Sequence, residues 1–267
     1  MSVRGGDTVL RAPKLYFGVA LLSAMVTLSA CQNKTAALTA DPMATGSTSA
    51  LAKGPSFKRT EQLSKQWNAN PADMNVATSY ADNLGALGQT ETQIGVLKTT
   101  ADRNPGNAEI QANMGKKILS MGESQMAIGL LERAVALDPQ NWKALSALGT
   151  AQDQLTRHVE ARQSYQAALA IKPGELSIMN NLAMSYALQG QLPQAEQILR
   201  DAMAQPGSKA LPRIRQNLAL VVGLQGRLDE SQKIASEDLP PDQVQANRAY
   251  LQQMLAKPNT WAQLQDG

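Results

Sequence analysis

The sequence predicts an all-α chain built as a solenoid of antiparallel helix pairs, and three observations carry that prediction. Pro71, Pro105, Pro139 and Pro173 stand 34 residues apart, and Pro206 follows one residue early. Numbering each unit from Ala108, Trp142 and Leu176 leaves only Gly or Ala at position eight (Gly115, Gly149, Ala183), position twenty (Ala127, Ala161, Ala195) and position twenty-seven (Ala134, Ala168, Ala202). Aromatics make up 4% of the 267 residues, with two Phe in all. That is thin for one large globular centre but sufficient for an array in which each unit touches only its neighbours.

Paired helices approach to about 8–10 Å only where small side chains face each other, so the nine Gly and Ala sites read as contacts between the two arms of each unit. Bulk falls between them: Met114, Leu148 and Leu182 at position seven, Leu131, Tyr165 and Leu199 at position twenty-four. This spacing gives each helix an apolar stripe. Gly122 and Gly190, both at position fifteen, suit a left-handed residue closing the first helix. Asn107 and Asn141 suit the N-cap of the following unit. A 34-residue period filled in this way resembles the tetratricopeptide repeat (TPR).

Taken in order, residues 1–30 read as a lipoprotein signal peptide. A basic start (Arg4, Arg11, Lys14) precedes an uncharged apolar run from Leu15 to Ala30. Sixteen helical residues reach roughly 24 Å, short of the ~30 Å hydrocarbon core, so a cleaved leader is expected in place of a permanent span. The run ends Leu28-Ser29-Ala30-Cys31, which resembles the lipobox of bacterial lipoproteins and implies lipidation of Cys31. Cys31 is the only cysteine, so no intramolecular disulfide can form. Each buried methylene contributes about 0.8 kcal/mol, and two or more acyl chains hold a protein stably on a membrane. By the same resemblance, Gln32 after Cys31 favours the outer membrane, with the protein facing the periplasm.

Residues 31–55 are mostly small and polar without an apolar period, and read as the lipidated Cys31 followed by a flexible, disordered linker. Residues 56–73 read as an N-terminal half repeat, with Leu63 where position twenty-four falls. Five units follow, at 74–107, 108–141, 142–175, 176–211 and 212–240. The first keeps Tyr80, Ala81, Leu84, Gly88 and Leu97 on pattern but departs at Gln93 and Thr100. In the last, Asn217-Leu218-Ala219 and Leu224-Gln225-Gly226 repeat Asn181-Leu182-Ala183 and Leu188-Gln189-Gly190, after an insertion of about two residues before Pro212. Ser231 stands there where Ala is expected. Residues 241–257 read as a capping helix with Val244, Leu251 and Leu255 on one side, and 258–267 as a tail.

Charge excludes one class of partner. The chain carries 25 Lys and Arg against 22 Asp and Glu, and the leader alone accounts for three of the bases and one of the acids. A near-neutral remainder without a basic run gives no electrostatic case for nucleic acid. Catalytic chemistry is equally thin. The one histidine, His158, falls in the turn between two arms and reads as a solvated turn residue, and one His cannot build a zinc site. Carboxylates such as Asp153 and Glu160 read as solvated charges on outer or groove faces. No enzyme activity, no cofactor, no metal and no small-molecule substrate is expected.

Binding surface is the remaining reading. In such an array the first helices line a concave face through positions two, five, six, nine and thirteen. Candidate partner-binding residues are Asn113, Lys116, Lys143, Asn181, Met184, Leu188, Arg213, Asn217, Leu220 and Leu224. Asn113 followed by Lys143, and Asn181 followed by Arg213, partly resemble the carboxylate clamp with which some of these arrays grip a peptide. Amides can both donate to and accept from an extended backbone, and cations meet carboxylates. The match is incomplete, because Thr78, Asp82 and Ala147 depart from the clamp. A clamp, a less specific peptide groove and plain helix-surface polarity stay open. For Met184, Leu188, Leu220 and Leu224, a partner patch and packing under the terminal helix are both open.

Arg215-Gln216-Asn217-Leu218-Ala219-Leu220, Gly226-Arg227-Leu228, Asp238-Leu239 and Asn247-Arg248-Ala249-Tyr250-Leu251 are similar to the end of the TadD-like lipoproteins of tight-adherence (Flp/Tad) pilus systems. The order of leader, lipobox, linker and repeats agrees with that family. The resemblance implies an outer-membrane adaptor facing the periplasm that binds protein partners in pilus assembly, such as the secretin channel or other Tad components. The alternative is a general envelope adaptor for outer-membrane protein insertion or peptidoglycan enzymes.

Overall fold

The computed structural model describes residues 55–256. The leader, Cys31, most of the linker and the tail from residue 257 lie outside the described residues. Twelve α-helices follow one another in the described part, with no strand among them. They are α1 (Phe57–Ala69), α2 (Met74–Ala86), α3 (Thr90–Arg103), α4 (Ala108–Ser120), α5 (Ser124–Leu137), α6 (Trp142–Gln154), α7 (His158–Ile171), α8 (Leu176–Leu188), α9 (Leu192–Ala204), α10 (Pro212–Leu224), α11 (Leu228–Ala235) and α12 (Pro241–Leu255). A single 3₁₀ turn, Ser208–Ala210, takes up the extra residues before Pro212, which then starts α10. The chain is a solenoid of helix pairs, α2 with α3 through α10 with α11, as the period predicts.

The ends of each helix are set by local chemistry. Asn107 Oδ1 accepts from Ile110 N–H and Asn141 Oδ1 from Ala144 N–H, each at 3.0 Å. Each satisfies one of the donors a helix start leaves open. First helices close on a left-handed residue, and Gly122 (φ 86°) and Gly190 (φ 73°) supply it in two units. The unit 142–175 has Thr156 at the same position, with φ 59°. A branched residue there stores backbone strain.

All nine Gly and Ala sites are buried, and so are Met114, Leu148, Leu182, Leu131, Tyr165 and Leu199. The two glycines show why nothing larger fits. A Cβ on Gly115 would stand 2.9 Å from Leu131 Cγ, and one on Gly149 only 2.6 Å from Tyr165 Cε1. The core is continuous across unit boundaries: Ala81 of α2, Leu97 of α3, Met114 of α4, Leu131 of α5 and Leu148 of α6 belong to one apolar cluster. Each unit therefore depends on its neighbour to bury its apolar face.

Departures from the repeat pattern have partners. Thr100 is fully buried and its hydroxyl accepts from Trp67 Nε1–H of α1 at 3.1 Å, while the Trp67 ring tilts against Tyr80. The Gln93 amide lies over Gly85. Ser231 donates to the Ala219 carbonyl at 2.6 Å, so a buried hydroxyl replaces Ala without losing a hydrogen bond. At the N-terminal end Asn83 is buried and exchanges bonds with both the N–H and the C=O of Ser56, tying the start of α1 to α2. At the other end α12 buries Val244 and Leu251, the latter beside Gly223. Leu255, expected on the same side, is 42% exposed because the helix ends one turn past its last support. No helix among the described residues is long and apolar enough to cross a membrane.

Candidate partner-binding groove

The first helices α2, α4, α6, α8 and α10 follow one another in the array, and they carry three groups of candidate residues with different chemistry. At the N-terminal end, Met74, Asn75 and Thr78 of α2 and Asn113, Lys116, Lys117 and Ser120 of α4 line a recess of ≈ 410 Å³. Asn113 Nδ2–H points at Met74 Sδ, 3.4 Å away. A thioether is a weak acceptor, so this amide retains most of its capacity for a partner. Lys117 is taken by Asp82 at 2.6 Å, which places an acid where the clamp pattern has basic and amide groups.

Lys116 and Lys143 differ from Lys117. Neither makes an ion pair among the described residues. Burial first, and then the Lys143 cation on α6, hold the Lys116 ammonium below its ordinary range, with Glu109 opposing. Lys116 on α4 and Lys143 on α6 thus bring two like charges to neighbouring first helices. Lys143 is exposed, with its ammonium 5.4 Å from the centre of the Trp142 ring. An anion beside Lys116 would favour its charged form and so offset both the like charge and the burial.

A chain of hydrogen bonds links several polar side chains of α6, α8 and α10. Asn217 Nδ2–H donates to Asn180 Oδ1 at 2.8 Å, Asn180 reaches Asn181 Oδ1 at 3.5 Å, and Asn181 reaches Thr150 Oγ1 at 3.5 Å. Asn181 and Asn217, expected to meet a peptide backbone, are brought together through Asn180, which the expectation omitted although it occupies groove position five. Thr150 continues the chain to Tyr165 OH at 3.3 Å, and that hydroxyl lies 3.1 Å from Asp153 Oδ2. Burial, then the Asp153 charge, push the Tyr165 hydroxyl above its ordinary range, so it stays protonated as a donor.

Two readings from sequence are corrected at this point. His158 is not a solvated turn residue: its side chain is 15% exposed, and Nδ1 lies 2.8 Å from Asp153 Oδ1. Asp153 is not a free charge either, since Ser185 of α8 also donates to Oδ1 at 2.8 Å. Three donors from two neighbouring helices converge on one carboxylate, an arrangement that joins units 142–175 and 176–211. Ser185 and His158 both bond to the acid through Oδ1. Among the described residues no three metal-ligating side chains gather.

The same helices α8 and α10 also carry apolar candidates, one and two turns beyond the amides. Met184 and Leu188 of α8 and Leu220 and Leu224 of α10 are half-buried, while α12 packs through Gly223, Ala219 and Ala235. Arg213 is exposed at the start of α10, and Arg215, two residues on, pairs with Asp238.

Fold and groove define a helical-repeat scaffold for protein interaction. The repeats are tetratricopeptide repeats: two family models of that description match residues 119–175 and 176–204. Comparison with curated proteins gives no match. Among solved structures, a thermophilic TPR protein of Thermus thermophilus superposes with a TM-score of 0.54 at 22% identity, covering 68% of this chain and all of that one. PilW, described as a widely conserved type IV pilus biogenesis factor, gives 0.54 at 14% identity over 78% of this chain and 89% of its own. MamA from Desulfovibrio magneticus gives 0.52 at 15% identity over 70% and 98%. At these identities the likeness is one of fold.

Proposed function

We propose that this chain is an adaptor lipoprotein of pilus assembly. A lipid on Cys31 anchors it to the outer membrane facing the periplasm, and the α2–α4–α6 end of the groove holds a segment of a pilus-machine protein, either the secretin or another Tad component. The single observation that carries the binding assignment is the contrast within one groove. Lys116 and Lys143 make no ion pair among the described residues and Asn113 meets only a thioether, whereas Asn181 and Asn217 each bond to a neighbouring polar side chain. Support for the pilus setting comes from the leader with its lipobox, the residues similar to TadD-like lipoproteins, and the fold shared with a pilus biogenesis factor.

A photo-cross-linking amino acid at Asn113, introduced in cells carrying the full chain, is expected to capture a secretin or another pilus component. Deleting the gene is expected to remove surface pili, and Cys31→Ser to release the protein from the outer membrane. Capture of outer-membrane insertion or peptidoglycan enzymes, with pili intact after deletion, favours the general envelope adaptor. No capture at Asn113, together with intact pilus assembly in a Lys116→Ala/Lys143→Ala strain, sinks the assignment of this groove.

A further inference from the structure

The N-terminal edge of the array carries an aromatic side chain in water that is held there by the fold. Phe57 opens α1 and is 73% exposed, more than any other large apolar residue described. The residue before it is fixed twice over. Buried Asn83 of α2 accepts from Ser56 N–H at 3.2 Å and donates to Ser56 C=O at 3.3 Å, and Ser56 Oγ caps α1 by accepting from Arg59 N–H at 3.2 Å. Another side of α1 is taken up by packing: Leu63 is buried with Ala77, Tyr80, Leu84 and Val96, and Trp67 lies against them. Lys58 and Lys65 are exposed and stand seven residues apart, so they share one side of the helix next to Phe57. Glu61 pairs with Lys65 at 2.7 Å, and Lys58 makes no ion pair among the described residues. Between Asp41 and Glu61 the sequence has three bases, Lys53, Lys58 and Arg59, and no acid.

We infer that this edge of α1 rests on the anionic phospholipid leaflet that holds the Cys31 lipid, with Phe57 entering the headgroup layer and Lys58 and Lys65 over lipid phosphates. The inference rests on the lipid anchor proposed above and adds a second membrane contact to it. Residues 32–54 join Cys31 to the described structure, and a chain of small polar residues of that length spans roughly 25–30 Å root-mean-square. The first helix after it is α1, so along the chain no helix of the array is nearer the anchor. Within that reach the contact is intramolecular, at an effective concentration in the millimolar range. One aromatic and a few bases then suffice, although alone they would not bring a free protein to the surface. Their chemistry fits the boundary, since an aromatic body sits among headgroups and each cation meets a phosphate. A second copy docking by the same edge would set bases against bases. Contact at this edge leaves α12, at the other end of the array, away from the leaflet.

The test uses the mature lipoprotein reconstituted in phosphatidylcholine vesicles containing phosphatidylglycerol. Cys31 is the only cysteine and is acylated in that protein, so Gln62→Cys and Gln252→Cys each supply a single thiol for a fluorophore. Both positions are exposed, one on α1 and one on α12. A lipid with a nitroxide headgroup quenches the fluorophore that reaches the surface. Quenching is expected at position 62 and not at 252. Lys58→Glu should reduce it about fivefold, the factor one base beside an anionic surface contributes. Phe57→Ser should reduce it as well, and added salt should weaken it. Because both side chains are exposed, neither substitution should move the thermal melt. Several results overturn the inference while the anchor stands: protein that floats with vesicles but is unquenched at 62, equal quenching at 62 and 252, quenching indifferent to Lys58→Glu and Phe57→Ser, or equal quenching in phosphatidylcholine alone. Shielding of the label at 62 that grows with protein concentration in the absence of vesicles assigns the edge to a second copy and also overturns it. Protein that fails to float removes the anchor, and the inference with it.

Discussion

Arg215 of α10 and Asp238, in the turn that leads to α12, form an ion pair through Nη1 and Oδ1 with both side chains almost out of solvent, at 12% and 13% exposure. Glu237 adds a second carboxylate oxygen 3.0 Å from Arg215 Nε. Both members of the buried pair lie in the stretches whose sequence resembles TadD-like lipoproteins. So does Arg248, which donates from α12 to Asp229 and Gln232 of α11. Arg215, Asp238 and Arg248 therefore hold the last unit and its cap together, while Asn217 and Leu220 of the same stretches lie among the candidate groove residues. Removing one partner of a buried pair leaves an uncompensated charge, so Asp238→Ala is expected to cost about 3 kcal/mol. Chemical denaturation of the last unit, followed by hydrogen exchange on α10–α12, checks this. An apolar replacement of both residues at once should recover most of the loss, because the desolvation cost of the charges disappears with them.

How far the sequence could be read depended on what kind of fact was sought. Period and side-chain size were enough for the helix pairs, because Gly115 against Leu131 and Gly149 against Tyr165 are geometric necessities repeated at fixed spacing. Helical register also assigns each candidate residue to a face of its helix, since it decides which way a side chain leaves. What a polar side chain bonds to after leaving was not legible. Asn113 and Asn181 hold the same position in their units, yet the first meets only a thioether and the second joins a chain of amides. The difference lies in Asn180 and Thr150, on the same and the neighbouring helix, and no periodicity encodes it. His158 went unread for a similar reason: its partner Asp153 is five residues back across a turn whose left-handed residue is Thr156, where the pattern expected Gly.

That threonine offers a direct measure of stored strain. A left-handed conformation costs an L-residue roughly 1–2 kcal/mol more than glycine, and branching at Cβ adds to the crowding. Thr156 is exposed and its φ is 59°. Thr156→Gly is therefore expected to stabilise the array by about 1 kcal/mol after the added freedom of glycine in the unfolded chain is subtracted. A rise of about 2–4 °C in the thermal midpoint reads this out. A fall would mean that the Thr156 hydroxyl holds the turn through contacts outweighing the backbone cost.

The arm contacts predict the opposite sign. Gly149→Ala places a methyl 2.6 Å from Tyr165 Cε1, and the ring cannot retreat without giving up the bonds of its hydroxyl to Thr150 and Asp153. A loss of about 1–3 kcal/mol by overpacking is expected. Ala161→Leu, at another fully buried contact on α7, should cost a similar amount. Melting curves of the two variants unchanged from the parent chain would contradict the assigned register. A second readout separates the two: Gly149→Ala should also expose the Tyr165 hydroxyl to titration, whereas Ala161→Leu should leave it protected.

Acid sensitivity is expected to concentrate at the joint between units 176–211 and 212–240. Burial alone would raise the Glu196 carboxyl, but hydrogen bonds from Gln225, Arg200 and Arg227, with the Arg227 charge, outweigh it and hold it below its ordinary value of 4.5. Arg200 and Arg227 also bridge to Glu230 of α11, at 2.6 Å and 3.1 Å. A carboxyl whose folded pKa lies below its unfolded one stabilises the fold fully above the unfolded value. That contribution is lost as pH falls through the folded value. Thermal melts should therefore stay level from pH 7 to about pH 5 and then decline as Glu196 takes up its proton. Glu196→Gln should start lower at pH 7 and show a shallower decline, so that the two curves converge in acid. Parallel curves down to pH 3 would place the acid sensitivity elsewhere, and high salt should narrow the gap at pH 7 because both arginines are partly exposed.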